Sequence, residues 1–332
     1  MTSDIYDSNS STGTGSKATF RTGFLSAFFG TDDNGDRRLA HRGRRENVFG
    51  HGTDLYHYTS LSGLKGIVEE NGFWASDNRF LNDTEENLEG LRLARDTLGH
   101  ASRRSRISGF ASILEGVLEK LSSPQEFGNF VACFSTSRDD LGQWRGYAAG
   151  GLCLVLAKPG DGEVPVFFGP EQMPYKAIYD GRQKRVLLLS IIRRFELQYG
   201  LDVVAMGDRM PRAHDGHYVD YLSEAIAAGI LGFKHEAFKQ EAEVRIVLSH
   251  RQADLYDGGL RFRIGPTGII PYLRTGDHNG SKKHGGRLPL KEVVVGPSPR
   301  QTLTAHSVET FLRYKGYSAT KVTLSGVPYR AP

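Results

Sequence analysis

Two carboxylates two residues apart, Glu241 and Glu243, lead into the run Val244-Arg-Ile-Val-Leu-Ser249. On an extended strand such a pair points to one face. Val244, Ile246 and Val247 predict that this strand is largely buried. Carboxylates on one buried face repel each other and lose hydration. They need either a cleft or cations, and Arg245 and the neighbouring lysines are the cations within reach. A second reactive group is His57, in the middle of Leu55-Tyr-His-Tyr-Thr59 with Ser60 behind it. A histidine there is either a satisfied core residue or a hydrogen-bonding group at a site. The third feature is Phe130-Val-Ala-Cys-Phe-Ser-Thr-Ser-Arg-Asp-Asp-Leu-Gly-Gln-Trp-Arg-Gly-Tyr-Ala-Ala149. Its apolar start reads as a strand, and its polar turn carries Ser135 and Ser137. Trp144 and Tyr147 follow three apart, on one face if the segment is a short helix. They form either a wall for a flat ligand or an aromatic cap on the core. His214-Asp-Gly-His217 with Asp220 has only loose metal-ligand spacing, and no metal is assigned to it.

These groups need elements to hold them. Leu55–Thr59 reads as a short strand, and Ser60 as the cap of a helix over 61–70 whose Leu61, Leu64, Ile67 and Val68 share a face. Gly72 is expected to close that helix. Phe73–Ala75 is a second short strand, followed by a polar loop over 76–86. Helical patterns follow at about 86–99 and 107–121, then at 184–198 and 218–231. Further strands are expected at Leu152–Ala157, Tyr175–Tyr179, Ala242–Ser249 and Leu260–Ile264. Leu290–Val295, Thr302–Tyr314 and Ala319–Leu324 read as strand, helix, strand. Residues 160–177 form a Pro/Gly-rich excursion, and Gly276–Arg287 an exposed loop. Strands and helices mix without strict alternation, so the fold class is α+β rather than doubly wound.

The chain has 332 residues, of which 24% are charged and 39% hydrophobic, as in an ordinary globular protein. A net charge of +4 neither demands nor excludes a nucleic-acid partner. Cys133 and Cys153, both inside apolar runs, read as buried thiols rather than a disulfide framework. No apolar run approaches the roughly 20 residues of a membrane span, so no membrane partner is expected. No basic start followed by an apolar stretch marks a secretory signal. Residues 1–50, rich in Ser, Thr, Gly and Asp with an Arg-rich run at 36–46, read as a disordered or loosely attached arm. Within the arm a short apolar patch, Phe24–Phe29, could dock elsewhere. The folded part is expected to be a single domain over 54–330.

Several of these blocks together resemble known families. Leu55-Tyr-His-Tyr-Thr-Ser60, a helix, and Gly72-Phe73 are similar to the first strand and helix of ADP-ribosyltransferases of the poly(ADP-ribose) polymerase and diphtheria-toxin type. Cys133-Phe-Ser-Thr-Ser137 with Trp144 and Tyr147 resembles that superfamily's second block, and Glu241-Ala-Glu-Val-Arg245 its catalytic strand. A closer resemblance, over about residues 54–330, is to the bacterial family named domain of unknown function 2971. It adds Phe80-Leu-Asn-Asp83 and Val322-Thr-Leu-Ser-Gly-Val-Pro-Tyr-Arg330. Two positions depart: Tyr58 replaces a glycine of polymerase-type members, and Val244 replaces a tryptophan of the closer family. His51-Gly-Thr53 matches the superfamily motif by letters, but no strand precedes it and no apolar helix follows directly.

The resemblance implies a split, twisted mixed sheet with flanking helices, and use of NAD to modify a macromolecule, protein or nucleic acid. It implies a toxin, effector or phage-defence protein, cytoplasmic or delivered into a target cell without a signal peptide. Cleaving the nicotinamide–ribose bond builds oxocarbenium-like charge, as in glycoside hydrolysis. Under this reading Glu243 stabilises that charge and Glu241 activates or orients the acceptor. His57 donates to a ribose hydroxyl. Tyr147, with Trp144 or Tyr58, stacks on nicotinamide. Thr59 is placed in the NAD site, and Ser135 and Ser137 position the glutamate or the ribose.

Overall fold

The computed structural model describes residues 54–80, 84–107, 109–122, 127–148, 151–157, 175–206, 213–251, 259–265, 268–275 and 287–328. The arm over 1–50, residues 160–174 of the Pro/Gly-rich stretch and 276–286 of the exposed loop lie outside the described residues. So do Leu81–Asp83 and the terminal Tyr329 and Arg330 of the motifs above.

Ser60 starts helix α1 (Leu61–Glu70) as expected, its Oγ accepting from the Gly63 N–H at 3.0 Å. Leu64, Ile67 and Val68 are buried, but Leu61, in the first turn, is 49% exposed. Asn71, not Gly72, takes the left-handed position that ends the helix, with φ 53°. Gly72 serves a different need. A Cβ there would sit 2.5 Å from Arg274 Cγ and 2.7 Å from the Thr275 carbonyl.

Among the described residues, ten strands make one mixed, twisted, unclosed sheet. They are β1 (Leu55–Thr59), β2 (Trp74–Asp77), β3 (Phe127–Ser135), β4 (Leu152–Leu156), β5 (Tyr175–Lys176), β6 (Glu243–Arg251), β7 (Arg261–Gly265), β8 (Gly268–Arg274), β9 (Leu290–Val295) and β10 (Lys321–Leu324). The main path runs β10-β9-β4-β1-β3-β2-β8-β7, while β6 pairs β3 on one side and β5 on the other. Among the described strands only β9 and β10 pair in parallel. Expected strand 175–179 keeps two residues, because Ile178 leaves it to bridge Phe233.

Strand β3 is the branch point. Strand β6 pairs with one edge along its whole length, from Phe127↔Arg251 to Ser135↔Glu243. The opposite edge is shared. Phe130 and Val131 pair with β2, and Ser135 alone pairs with β1 at Tyr56. Strands β1 and β3 therefore part just beyond Tyr56. The strand alternation also sorts the faces. Phe130, Ala132, Phe134, Val244, Ile246 and Leu248 face one core with Leu154, Val293 and the buried side of α1. Tyr58, Cys153, Val155 and Val294 face the other way, onto Trp144.

Helices α2 (Thr84–Ser102), α3 (Phe110–Ser122), α5 (Gly181–Met206) and α6 (Ala213–Ile230) pack against one another. Phe110, Ile113, Leu188, Ile191, Phe195, Tyr218, Leu222 and Ile226 are buried among them. Periodicity located all four, although α2, α5 and α6 run longer than expected. Between β3 and β4 lies α4 (Leu141–Gln143), which continues as a π turn over Trp144–Ala148. Helix α7 (Gln301–Tyr314) packs beside β9 and β10. No helix of the described residues is long and apolar enough to cross a membrane.

Candidate functional site

The chain leaves α6 at Leu231–Lys234, all four residues buried, and meets the start of β6 through Ile178. The Ile178 N–H donates to the Gly232 carbonyl at 2.8 Å, and the Lys234 N–H to the Ile178 carbonyl at 3.1 Å. This junction brings the charged side chains together. Glu241 is not on the strand. It ends a 3-10 turn over Glu236–Glu241, and Ala242 turns left-handed at φ 45° before β6 begins. The expected two-residue strand spacing is therefore replaced by a corner, yet both carboxylates converge on one ammonium. Lys234 Nζ lies 2.9 Å from Glu241 Oε2 and 2.5 Å from Glu243 Oε2, and its side chain is 2% exposed.

Glu243 is sealed. Arg245 Nε donates to its Oε1 at 2.8 Å and Nη2 to its Oε2 at 3.2 Å. The backbone N–H of Glu243 donates to Tyr179 Oη at 2.9 Å. Arg245 Nη1 also donates to the Leu231 and Phe233 carbonyls, satisfying acceptors just past the end of α6. Burial pushes the Glu243 carboxyl upward, but Arg245 and then Lys234 outweigh it and hold it at about 2. Burial depresses the Lys234 ammonium, and Glu243 and Glu241 reverse this and raise it well above the ordinary lysine value. Buried ions paired in this way stay charged. The cations expected beside the carboxylates are thus present, and Lys234, not singled out among the neighbouring lysines, is the pivot.

Glu241 keeps a 21% exposed side chain and accepts from Tyr147 Oη at 3.0 Å. Burial and Glu241 raise the Tyr147 phenol while Lys234 opposes them, so it stays protonated as a donor. Tyr147 is 48% exposed, whereas Trp144 is 0% exposed. The π turn separates them, so they do not share a face as expected. Trp144 has no surface for a ligand. Its Nε1 donates to Asp139 Oδ1 at 2.8 Å, and its ring meets Tyr58 edge-on. Tyr58 is buried as well, donating to the Ser137 carbonyl at 3.0 Å and accepting from the Asp140 N–H at 2.9 Å. Both are corrected from ligand-stacking groups to supports of the turn. Ser135 is buried and donates to the Glu241 carbonyl at 2.8 Å while accepting from the Ser137 N–H at 2.9 Å. It holds the glutamate through the backbone. Ser137 and Thr59 are partly exposed.

His57 sits where β1 and β3 part. Its Nδ1 lies 2.8 Å from the Cys133 carbonyl, and Phe73 and Phe134 flank the ring at 5.0 and 5.4 Å. Burial drives its pKa down to about 4, against a weaker opposing effect of the Cys133 bond. A carbonyl can only accept, so Nδ1 carries the proton of the neutral ring and Nε2 is left as an acceptor. The expected imidazole donor is thereby corrected to a ring whose remaining nitrogen can only accept. Its strand position places it on the face of Leu55, opposite Tyr58. Cys133 and Cys153 are free thiols, the second buried.

One feature gave no signal in the sequence. Asp139 turns left-handed at φ 54° and collects three donors. These are Trp144 Nε1, Ser325 Oγ and the Gly326 N–H. The C-terminal motif is thereby fastened to the turn that carries Tyr147. In the His214–Asp220 stretch, Asp215 accepts from Tyr199 and Asp220 pairs with Lys120, while the His214 side chain lies outside the described residues. No protein-family model, no curated protein and no solved structure matches this chain.

Proposed function

We propose that the chain binds NAD where β1 and β3 part and transfers its ADP-ribose to a macromolecular acceptor. The observation that supports this reading is the parting itself, a split in a twisted mixed sheet flanked by His57 on one strand and the Glu241–Lys234–Glu243 group beyond the other. That arrangement fits the ADP-ribosyltransferase-like fold implied by the sequence resemblance. The geometry redistributes the roles. Glu243 has both oxygens committed and serves to position Lys234, and through it Glu241. Glu241 is the carboxylate a ribose can reach, with Tyr147 beside it as donor and stacking surface. Negative charge at Glu241 stabilises the oxocarbenium-like centre as nicotinamide leaves. His57, packed on Phe73 and Phe134, lies on the opposite face of the sheet from Glu243 and is not assigned to this ribose.

The sealed state of Glu243 favours a second reading, a module that binds NAD without turning it over. One experiment separates them. Purified protein is given NAD, binding is followed by calorimetry and nicotinamide release by chromatography. The enzymatic reading expects release that falls about 100- to 1000-fold in Glu241→Gln, the usual cost of one transition-state charge contact. Binding without release establishes the module, and absence of both ends the NAD reading.

A further inference from the structure

Helices α2 and α5 run side by side in the same direction. Lys184 of α5 meets Glu89 of α2 at 3.5 Å near one end, and Ser105, just past α2, donates to Glu196 of α5 at 2.7 Å near the other. Between the first turn of α5 and the middle of α2 lies a groove of about 450 Å³ whose lining includes Glu89, Arg92, Asp96, Arg182, Lys184 and Arg185. Lys184 is buried at 4% exposure, with its ammonium over the Phe233 ring. Arg92, Arg182 and Arg185 are exposed and make no ion pair with any described residue. Further along the same pair, Arg193 on α5 and Arg103 and Arg104 after α2 are exposed and equally uncommitted among the described residues. From Lys184 to Glu196 the helix rises about 18 Å at 1.5 Å per residue, roughly five nucleotide steps of a strand. Six arginines thus outnumber the described acids of this strip, Glu89, Asp96 and Glu196, the last engaged by Ser105.

We propose that this strip holds the phosphodiester backbone of a nucleic acid. Uncommitted guanidinium groups on adjacent turns repel one another, and phosphates relieve that repulsion while accepting paired N–H bonds in the planar geometry arginine offers. Contacts of this kind position a strand without reading its sequence. The strip is separate from the carboxylate site and binding here needs no NAD chemistry, so a protein inert toward NAD leaves this proposal standing.

The test is fluorescence anisotropy with labelled strands of about 20 nucleotides, as single-stranded RNA, single-stranded DNA and duplex DNA, at about 50 to 200 mM salt. The variant R92E/R185E/R193E is compared with R300E/R313E/K321E, which changes net charge equally at exposed positions elsewhere. The strip variant is expected to lose tenfold or more in affinity, and its salt slope to flatten by about 2, from 0.7 per lost contact on a single strand. The control variant stays within about twofold of the parent. Whichever nucleic acid binds identifies the source of the phosphodiester. Absence of binding at the lowest salt, or equal weakening in both variants, overturns the proposal. Should the triple variant not fold, R185E and R193E are each read singly against R313E by the same criteria.

Discussion

Strands β3 and β6 present two opposite faces to the molecule. On one, Ala132, Phe134, Val244 and Ile246 join a large apolar core. On the other, Cys133 and Ser135 lie across from Arg245 and Glu243, with Lys234 and Glu241 closing over them. Both faces are buried, but they are held by different physics. The apolar face is stabilised by area and shape, and a small defect in it costs a small amount. The charged face is stabilised only while every ion keeps its partners, so one deletion leaves a desolvated charge behind. The same sheet therefore pairs a tolerant side with a brittle one, and the brittle side is the one that opens to solvent at Glu241 and Tyr147.

The largest effect expected is from breaking that charged face. Arg245→Ala strips Glu243 of two bonds and leaves the Leu231 and Phe233 carbonyls unmet, at a cost of about 3–5 kcal/mol. Ile246→Val, the next residue and on the other face, should cost about 0.5–1.5 kcal/mol. Denaturant unfolding of both variants makes the comparison, and near-equal losses would mean that the ion network contributes no more than packing.

Acid provides the next test. Glu243 is held at about 2 in the fold against an ordinary 4.5, so its contribution is complete above pH 4.5 and disappears as pH falls through about 2. The difference corresponds to something on the order of 3 kcal/mol. His57, with a folded value of about 4 against 6.5, acts with the same sign in a higher window. The unfolded chain takes up the proton first, so stability is full above pH 6.5 and declines toward pH 4. Melting temperatures of the parent and of His57→Leu at pH 7, 5.5 and 4 should converge as the parent loses its advantage. A parent curve flat from pH 7 to 4 would contradict the burial of the imidazole.

The smallest effect belongs to the exposed margin of the charged face. Tyr147→Phe removes one hydrogen bond to a carboxylate that Lys234 still holds, and should cost about 0.5–1.5 kcal/mol. A loss as large as that of Arg245→Ala would place Tyr147 inside the network rather than at its edge.

Much of the scaffold was readable because it is periodic. Leu64, Ile67 and Val68 behind a serine cap gave α1, and the apolar run Leu152–Ala157 gave β4, whose five residues Leu152–Leu156 are all buried. Strand β8 was missed because Pro271 argues against a strand. Strand β2 pairs with β8 only from Tyr272 onward, so at Pro271 the strand has a neighbour on one side alone, where a residue without an N–H is accommodated. At the site the residue types were legible and their roles were not. Nothing local announces that Ala242 turns left-handed, that a π turn divides Trp144 from Tyr147, or that Lys234 reaches both glutamates. Each is imposed by contacts distant in sequence.

The bond from Ser325 to Asp139 spans 186 positions of chain. A contact of such separation carries a large closure entropy and belongs to the late events of folding. During synthesis, Asp139 and Trp144 leave the ribosome long before their partners Ser325 and Gly326 exist. Until Ser325 and Gly326 emerge, the turn bearing Tyr147 lacks its clasp. A nascent or prematurely stopped chain therefore carries Tyr147 on an unsecured turn. Such an order of assembly delays the completed turn until residues 325 and 326 have been made.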